Sequence, residues 1–165
     1  PDMRVADIAC GNGAYTKLLS DYCARITGFE LSDSLRDVAS REYPLANGAY
    51  LPLDLEDESW AIDDEYGAIF CMGVLVYLHT PPLFKNTLRK FYDLLKPGGS
   101  LITRDTVSKG KTLRVHHHNG SYATYRSRSS FIGGFEKAGF TLERRIEMYT
   151  RIDKNNAFYV FRKPG

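Results

Sequence analysis

Apolar residues occur along the chain in short runs, separated by longer stretches with helical spacing. Apolar runs of this length, bounded by glycine, proline or charged residues, are typical of strands buried in a sheet. The predicted buried strands cover residues 3–9, 24–29, 66–72 and 100–106. The helices are predicted over 14–22, 33–43, 81–96 and 128–138. Strands that alternate with helices predict an α/β fold, a doubly wound and mostly parallel sheet with helices on both faces.

The two edges of this sheet have signals of their own. A short apolar run at 49–53 contains Pro52, which cannot donate to a central ladder, so this strand is predicted at an edge. Near the end of the chain, strands predicted over 140–149 and 157–162 are separated by the turn-like Asp-Lys-Asn-Asn of residues 153–156. That close spacing predicts a terminal antiparallel hairpin.

Residues 107–126 have no clear period, and they contain two glycines and three consecutive histidines. We interpret this segment as an insertion over the active face of a single domain that spans residues 1–165. The chain begins with Pro1 directly before the first predicted strand, which suggests that a native N-terminal segment is missing.

Charge is distributed unevenly, although the net charge is only +2. Residues 21–65 hold twelve acidic and three basic residues, whereas residues 101–128 hold six basic residues and one acidic residue. Such a separation indicates either two faces with different partners or two solvated segments. No apolar run is long enough to span a bilayer, no signal peptide is evident, and the three cysteines lack CxxC spacing. A cytoplasmic protein with reduced thiols and no metal site is the simplest interpretation.

The first predicted strand ends in the sequence Asp7-Ile8-Ala9-Cys10-Gly11-Asn12-Gly13. Glycines at such a point let the backbone approach a ligand closely and turn into a helix, whose N-terminus favours negative charge. Glu30 follows Gly11 by 19 residues and ends the second predicted strand, where a carboxylate can accept hydrogen bonds from both ribose hydroxyls. The pair indicates a ligand that contains adenosine.

Three features favour S-adenosylmethionine over a dinucleotide. Thr16 stands where the dinucleotide fingerprint needs a third glycine. Asp7 lies four residues before Gly11, at a position that is normally apolar in a dinucleotide-binding strand. The segment 94–99, Leu-Leu-Lys-Pro-Gly-Gly, stands just before the fifth strand. Together these motifs resemble the class I S-adenosylmethionine-dependent methyltransferase family over about residues 3–106.

The resemblance also rests on Gly28-Phe29-Glu30-Leu31-Ser32 and on residues 66–72, with Ala9 and Gly67 as departures from the common pattern. It implies the strand order 3-2-1-4-5-7-6, with strand 7 antiparallel. It further implies a cofactor role for three groups of residues. The methionine moiety would contact Asp7, Ala9, Cys10, Gly11, Asn12 and Gly13. The adenosine would contact Glu30, Leu31, Asp54 and Leu55, and the sulfonium would lie near Cys71, Met72 and Gly73.

The acceptor side is less well defined. A sulfonium methyl is already activated, so the protein mainly aligns a nucleophile with it for in-line displacement, and a general base is optional. Tyr77, His79 and Tyr125 are the candidate catalytic residues, and Tyr122 and Arg126 are the candidate substrate-binding residues. Each of these side chains also has a structural interpretation, as a surface or packing residue. The histidine triplet 116–118 is a poor metal site, because successive residues of a strand point to opposite faces.

The leading hypothesis is methyl transfer to oxygen or nitrogen of a small-molecule acceptor, with an anionic acceptor favoured by the basic insertion. An RNA or protein acceptor is the first alternative, although the sequence after the fourth strand, Cys71-Met72-Gly73-Val74, lacks an Asn-Pro-Pro-Tyr-type motif. A non-catalytic S-adenosylmethionine-binding partner subunit is the second alternative. A nicotinamide-dependent oxidoreductase is disfavoured by Thr16.

Overall fold

A computed structural model describes residues 2–117 and 120–165, and this part of the chain forms strands, four α-helices and one short 3₁₀ helix at Leu75–Tyr77. The strands are β1 Arg4–Ile8, β2 Arg25–Glu30, β3 Gly48–Pro52, β4 Tyr66–Met72, β5 Leu95–Ser108, β6 Leu113–His116, β7 Tyr122–Tyr125, β8 Thr141–Thr150 and β9 Lys154–Arg162. The α-helices are α1 Ala14–Ser20, α2 Asp33–Glu42, α3 Pro81–Leu94 and α4 Arg128–Ala138. None of the helices in the described residues is long and apolar enough to cross a membrane.

Seven strands form one sheet in the order β3-β2-β1-β4-β5-β9-β8. If β6 and β7, which pair only with each other, are left out of the numbering, this is the expected order 3-2-1-4-5-7-6. The strand β9 is antiparallel to β5 and to β8, while the pairs from β3 to β5 are all parallel. The edge position of β3 is confirmed, and the carboxyl ends of β1, β2 and β4 lie side by side.

Capping residues stand at several of the predicted helix ends. The Ser32 hydroxyl accepts a hydrogen bond from the Leu35 N–H at 3.3 Å and begins α2. Gly139 ends α4 with φ of 108°. The predicted turn at 153–156 is wrong, because β9 already begins at Lys154 and Asn156 is buried, donating to the Thr106 hydroxyl at 2.9 Å. Pairing with β5 therefore makes residues 154–156 part of a strand, although their local sequence is typical of a turn.

The larger hydrophobic core lies between the sheet and the helices α3 and α4. Phe135 of α4 stacks on Phe161 of β9 with ring centroids 3.8 Å apart, and both side chains are fully buried. Phe84 and Phe91 of α3 are buried in the same cluster, so the aromatic side chains on this face of the helix belong to the core. By contrast, Tyr15 and Leu18 of α1 and Tyr22 just after it are exposed although they have helical spacing, and the buried residues of α1 are Thr16 and Ser20.

The segment 107–126 contains the antiparallel β6–β7 hairpin, and Arg126 fixes its end to the body of the domain. Arg126 is buried, and its guanidinium donates hydrogen bonds to the carbonyls of Leu75, at 2.9 Å, and Leu78. The same group lies over the Phe84 ring, 3.7 Å from the centroid. Arg126, a predicted substrate-binding residue, thus uses two of its donors to hold the backbone around the 3₁₀ helix.

Asp105, in the last part of β5, is close enough to Arg126 for the two charges to interact. It is fully buried, accepts a hydrogen bond from the Thr103 hydroxyl through Oδ2, and has no partner for Oδ1 in the described part of the chain. Burial raises the pKa of Asp105 to about 7, against the opposing effects of Thr103, Arg126 and Arg104. The Asp105 carboxyl therefore stays protonated to a higher pH in the folded protein than in the unfolded chain.

We expect Arg126→Met to lower the free energy of unfolding by about 3 kcal/mol, because it leaves two carbonyls without donors and Asp105 without its nearby cation. Arg128→Met is the matched control, since Arg128 is exposed two residues further on, and it should change stability by less than about 0.5 kcal/mol. Urea denaturation of both variants measures the difference. Equal losses would show that Arg126 is not an anchor.

Asp105 also predicts a pH dependence of stability. Because its pKa is raised in the folded state, the folded protein binds more protons than the unfolded chain between about pH 4 and 7. The contribution of this group to stability therefore decreases as the pH rises through that window. Asp105→Asn cannot ionise, so its stability relative to the wild type should increase from pH 4.5 to pH 8 in urea denaturation. The exposed Asp37→Asn serves as the control, and parallel profiles for Asp105→Asn and wild type would contradict the prediction.

Candidate functional site

The loop between β1 and α1 has left-handed backbone at alternate residues. The φ angles are 56° at Ala9, 59° at Gly11 and 82° at Gly13. Ala9 is the one non-glycine with positive φ among the described residues. It stands where the sequence motif that the loop resembles commonly has glycine. The Cys10 N–H donates to the Phe29 carbonyl at 2.9 Å, so the loop is tied to the end of β2.

Tyr50 of β3 packs against this loop. A Cβ at Gly13 would lie 2.6 Å from the Tyr50 hydroxyl oxygen, and a Cβ at Gly28 would lie 2.7 Å from its ring. The hydroxyl donates to the Tyr43 carbonyl at 2.8 Å, which fixes the side chain in place. Gly13 is therefore required by close packing as well as by its positive φ, whereas Gly28 is required by close packing alone. Sequence reasoning missed Tyr50, because the contact joins residues 37 positions apart.

Asp7 and Thr16 form a buried pair under the loop. The Thr16 hydroxyl donates to Asp7 Oδ2 at 2.6 Å, and neither residue is more than 3% exposed. Burial raises the pKa of Asp7 to about 6, while the Thr16 hydrogen bond lowers it. Asp7, predicted to hold the methionine moiety with the loop residues, joins β1 to α1 through this hydrogen bond and is not among the residues that line the cavity described below.

Glu30 joins the glycine loop to the start of α2. Its Oε2 accepts from the Gly11 N–H at 2.9 Å, and its Oε1 accepts from the Ser32 N–H at 3.0 Å. Each carboxylate oxygen retains a further lone pair, so Glu30 can still accept from the two hydroxyls of a ribose. Arg36, another residue that sequence reasoning missed, donates to the carbonyls of Glu30 at 2.6 Å and Leu31 at 2.8 Å.

A cavity of about 300 Å³ opens beside this loop at the carboxyl ends of the parallel strands. It is lined by Ile8, Ala9, Glu30, Leu31, Leu53, Asp54, Leu55, Glu56, Val74, Tyr77 and Leu78. Five of these were predicted cofactor residues and one was a predicted catalytic residue. Carboxylates line the cavity together with aliphatic side chains, and these hydrogen-bond acceptors and apolar surfaces fit the hydroxyls of a ribose and a flat purine ring. We call it the cofactor cavity.

The remaining predicted cofactor residues lie around this cavity without lining it. The Cys10 thiol packs toward Gly28, and burial raises its pKa to about 12. Cys71, predicted to lie near the sulfonium, is fully buried in the larger core. Asn12 is exposed and accepts from the Ala14 N–H at 3.3 Å. Half-buried Met72 and Gly73, the latter with φ of 75°, lead into the 3₁₀ helix.

The candidate acceptor residues divide between two sides of the segment Tyr77–His79. Tyr77 lines the cofactor cavity, whereas His79 lines two cavities under the β6–β7 hairpin and its Nδ1 lies 3.4 Å from the Thr124 hydroxyl. Tyr122 contacts His79 edge-on, with ring centroids 6.3 Å apart. Tyr125 is not among the residues that line these cavities, and its ring faces Lys154 Nζ at 4.9 Å.

Of the histidine triplet, His116 packs against the Tyr122 ring at 4.3 Å, and His118 lies outside the described residues. Within the described ranges, no group of three or more His, Cys, Asp or Glu side chains is arranged to hold a metal ion. Cys10, Cys23 and Cys71 are free thiols.

Comparison with known proteins gives consistent matches. Residues 5–99 match the family described as "Methyltransferase domain". An uncharacterized methyltransferase of Schizosaccharomyces pombe is 27% identical over 164 residues, covering 94% of this chain and 54% of the relative. A tRNA U34 carboxymethyltransferase of Methylococcus capsulatus is 30% identical over 161 residues, covering 88% of this chain and 47% of the relative. The chain thus spans about half the length of these curated relatives.

Solved structures agree in fold. An S-adenosylmethionine-dependent methyltransferase from Mesorhizobium loti superposes with a TM-score of 0.79 at 14% identity, covering 97% of this chain and 90% of that one. The N-methyltransferase NodS from Bradyrhizobium japonicum, in complex with S-adenosyl-L-homocysteine, gives a TM-score of 0.76 at 18% identity, covering 99% and 79%. With a family match over more than half of its length and this fold, the chain belongs to the class I S-adenosylmethionine-dependent methyltransferase family.

Proposed function

We propose that this protein uses S-adenosylmethionine to methylate an oxygen or nitrogen of a small-molecule acceptor by in-line displacement. The observation that carries the proposal is the cofactor cavity, in which Glu30 and Asp54 lie beside aliphatic side chains at the end of a left-handed glycine loop. When bound, S-adenosylmethionine supplies a methyl group on a sulfonium, which is already an activated electrophile.

The residues of the chain fit the parts of this cofactor. Glu30 accepts from the ribose hydroxyls, while Leu31, more than half exposed in the cavity wall, packs against the adenine with Leu55. Asp54, whose Oδ1 accepts from the Glu56 N–H at 2.8 Å, keeps Oδ2 for the adenine amino group. The loop from Ala9 to Gly13 and the positive end of α1 receive the methionine carboxylate.

Tyr77 and His79 are the candidates for handling the acceptor. Tyr77 lines the cofactor cavity, so its phenol can orient a nucleophile by hydrogen bonding. The Thr124 hydroxyl holds Nδ1 of His79, and the second ring nitrogen can take a proton from an acceptor that has not lost it beforehand. Tyr125 carries no part of this proposal, because its ring faces Lys154.

An RNA acceptor is the second candidate, supported by relatives named as tRNA U34 carboxymethyltransferases and by the basic residues of the hairpin segment. It predicts RNA binding that weakens steeply with salt, because phosphate contacts release counterions. A partner subunit without activity of its own would bind the cofactor and transfer no methyl group to any acceptor.

We expect Glu30→Gln to weaken binding of S-adenosylhomocysteine at least tenfold. The amide replaces one acceptor oxygen with a donor, which then faces either the Gly11 or the Ser32 N–H and cannot accept from a ribose hydroxyl. Glu56→Gln is the matched control, since Glu56 lines the same cavity. Isothermal titration calorimetry measures both dissociation constants. Similar affinities for the two variants would contradict the role of Glu30, and an absence of binding to the folded wild type would refute the proposed function.

We expect His79→Ala to lower kcat by about 10²-fold or more if the acceptor needs a general base, with little change in S-adenosylhomocysteine affinity, because His79 does not line the cofactor cavity. Tyr77→Phe should raise KM for the acceptor by loss of one hydrogen bond. Formation of S-adenosylhomocysteine with a panel of carboxylated and phosphorylated alcohols and amines is the assay. His116→Ala is the control, and an equal loss in His116→Ala and His79→Ala would argue against a specific role for His79.

A further inference from the structure

A second cavity, of about 370 Å³, lies between the β6–β7 hairpin, the first turns of α3 and the helix α4. Four cationic side chains line it, and no aspartate or glutamate is among its lining residues. These four residues are Lys85, Arg114, Arg126 and Lys137. A concave site lined by one sign of charge focuses the electrostatic potential and attracts ions of the opposite sign. We call this space the hairpin cavity.

Three of the four cationic side chains of the hairpin cavity have no ion-pair partner within the described part of the chain. Lys85, Arg114 and Lys137 take part in none of its ion pairs. Burial lowers the pKa of Arg126 to about 10, Asp105 opposes that shift, and the like charge of Arg114 adds to it. Two guanidinium groups therefore disfavour each other's charge here, and a bound anion would relieve the repulsion.

Gly133 keeps this cavity open. Glycine inside a helix is less favourable than alanine, and α4 has two in succession. At Gly134 packing explains the choice, because a Cβ there would lie 2.6 Å from the Phe84 ring. At Gly133 a Cβ would meet no atom within 4 Å, so internal packing does not require glycine at this position. Its missing side chain instead leaves the wall of the cavity free.

Neutral donors complete the lining. Ser129 and Ser130, in the first turn of α4, contribute hydroxyls, and the positive end of the helix dipole lies at the same turn. Thr112 and Thr124 of the hairpin segment add two more hydroxyls. Guanidinium, ammonium and hydroxyl donors around one space are the groups that recognise phosphate and carboxylate oxygens.

We propose that the hairpin cavity binds an oxyanionic group, phosphate or carboxylate, of the molecule that is methylated. This inference rests on the proposed function, because it assigns the anion to the acceptor. His79 lines the hairpin cavity, and the preceding residue, Leu78, lines the cofactor cavity. Since successive Cα atoms are only about 3.8 Å apart, the two cavities share the wall formed by this segment. An anion held on one side places the rest of the acceptor near the other.

The test is a titration of the full chain, free of cofactor, with inorganic phosphate at constant ionic strength, followed by NMR of the backbone amides. We expect saturable shifts at Arg114 and Gly133. Arg114→Gln should weaken phosphate binding at least fivefold, because it removes a charge-assisted donor. Gly133→Leu should weaken it as strongly without any change of charge, and Gly133→Ala, which is compatible with the helix, should weaken it less. Lys111→Gln removes a charge from the same segment outside the cavity and should leave the affinity unchanged.

Equal affinity in Arg114→Gln and Lys111→Gln, or an absence of saturable shifts at the cavity, would overturn the proposal. A single-stranded RNA oligonucleotide added as a competitor distinguishes the two sources of phosphate. If RNA displaces phosphate from the wild type but not from the variants, the natural ligand is a nucleic-acid backbone. If phosphate binds and RNA does not displace it, the natural ligand is a small molecule. Both outcomes support an oxyanion site. Phosphate binding is measured without cofactor, so its failure is distinct from a failure to bind S-adenosylhomocysteine.

Discussion

The hydrogen bond from the Gly11 N–H to Glu30 connects the parts of the molecule on which the cofactor cavity depends. Gly11 belongs to the loop after β1, and Glu30 ends the neighbouring strand β2, so the bond exists only when the two strands are in parallel register. The second oxygen of Glu30 binds the Ser32 N–H and begins the turn into α2. One carboxylate thus orients the glycine loop, the end of β2 and the wall of the cavity.

The loop also shows how close packing and backbone conformation act together. Tyr50 comes from the edge strand β3 and fills the space that side chains at Gly13 and Gly28 would need. The buried Thr16–Asp7 pair ties the first turn of α1 to β1. Thr16 therefore has a positive structural role in this chain, besides excluding the third glycine of a dinucleotide fingerprint.

On the other side of the 3₁₀ helix, Arg126 fixes the backbone of the segment that carries the candidate acceptor residues. Its guanidinium binds the carbonyls of Leu75 and Leu78 and stacks on Phe84, so the β6–β7 hairpin, the 3₁₀ helix and α3 share one buried cation. Tyr77 and His79 lie on the segment that Arg126 holds. The cofactor and hairpin cavities therefore meet at a segment whose backbone is fixed by one buried side chain.

The sequence by itself determined the alternation of strands and helices, the edge strand, the terminal hairpin and the glycine loop after β1. It could do so because the hydrophobic period, proline and glycine each act on the local backbone. It also predicted the candidate residues Glu30, Leu31 and Asp54 at strand ends and Tyr77 in the loop after β4, and all four line the cofactor cavity. Only the tertiary structure decided that Arg126 and Cys71 are buried, that Asn156 lies in a ladder, and that Tyr50 supports the loop. These outcomes depend on contacts between residues far apart in the chain, which no local pattern encodes.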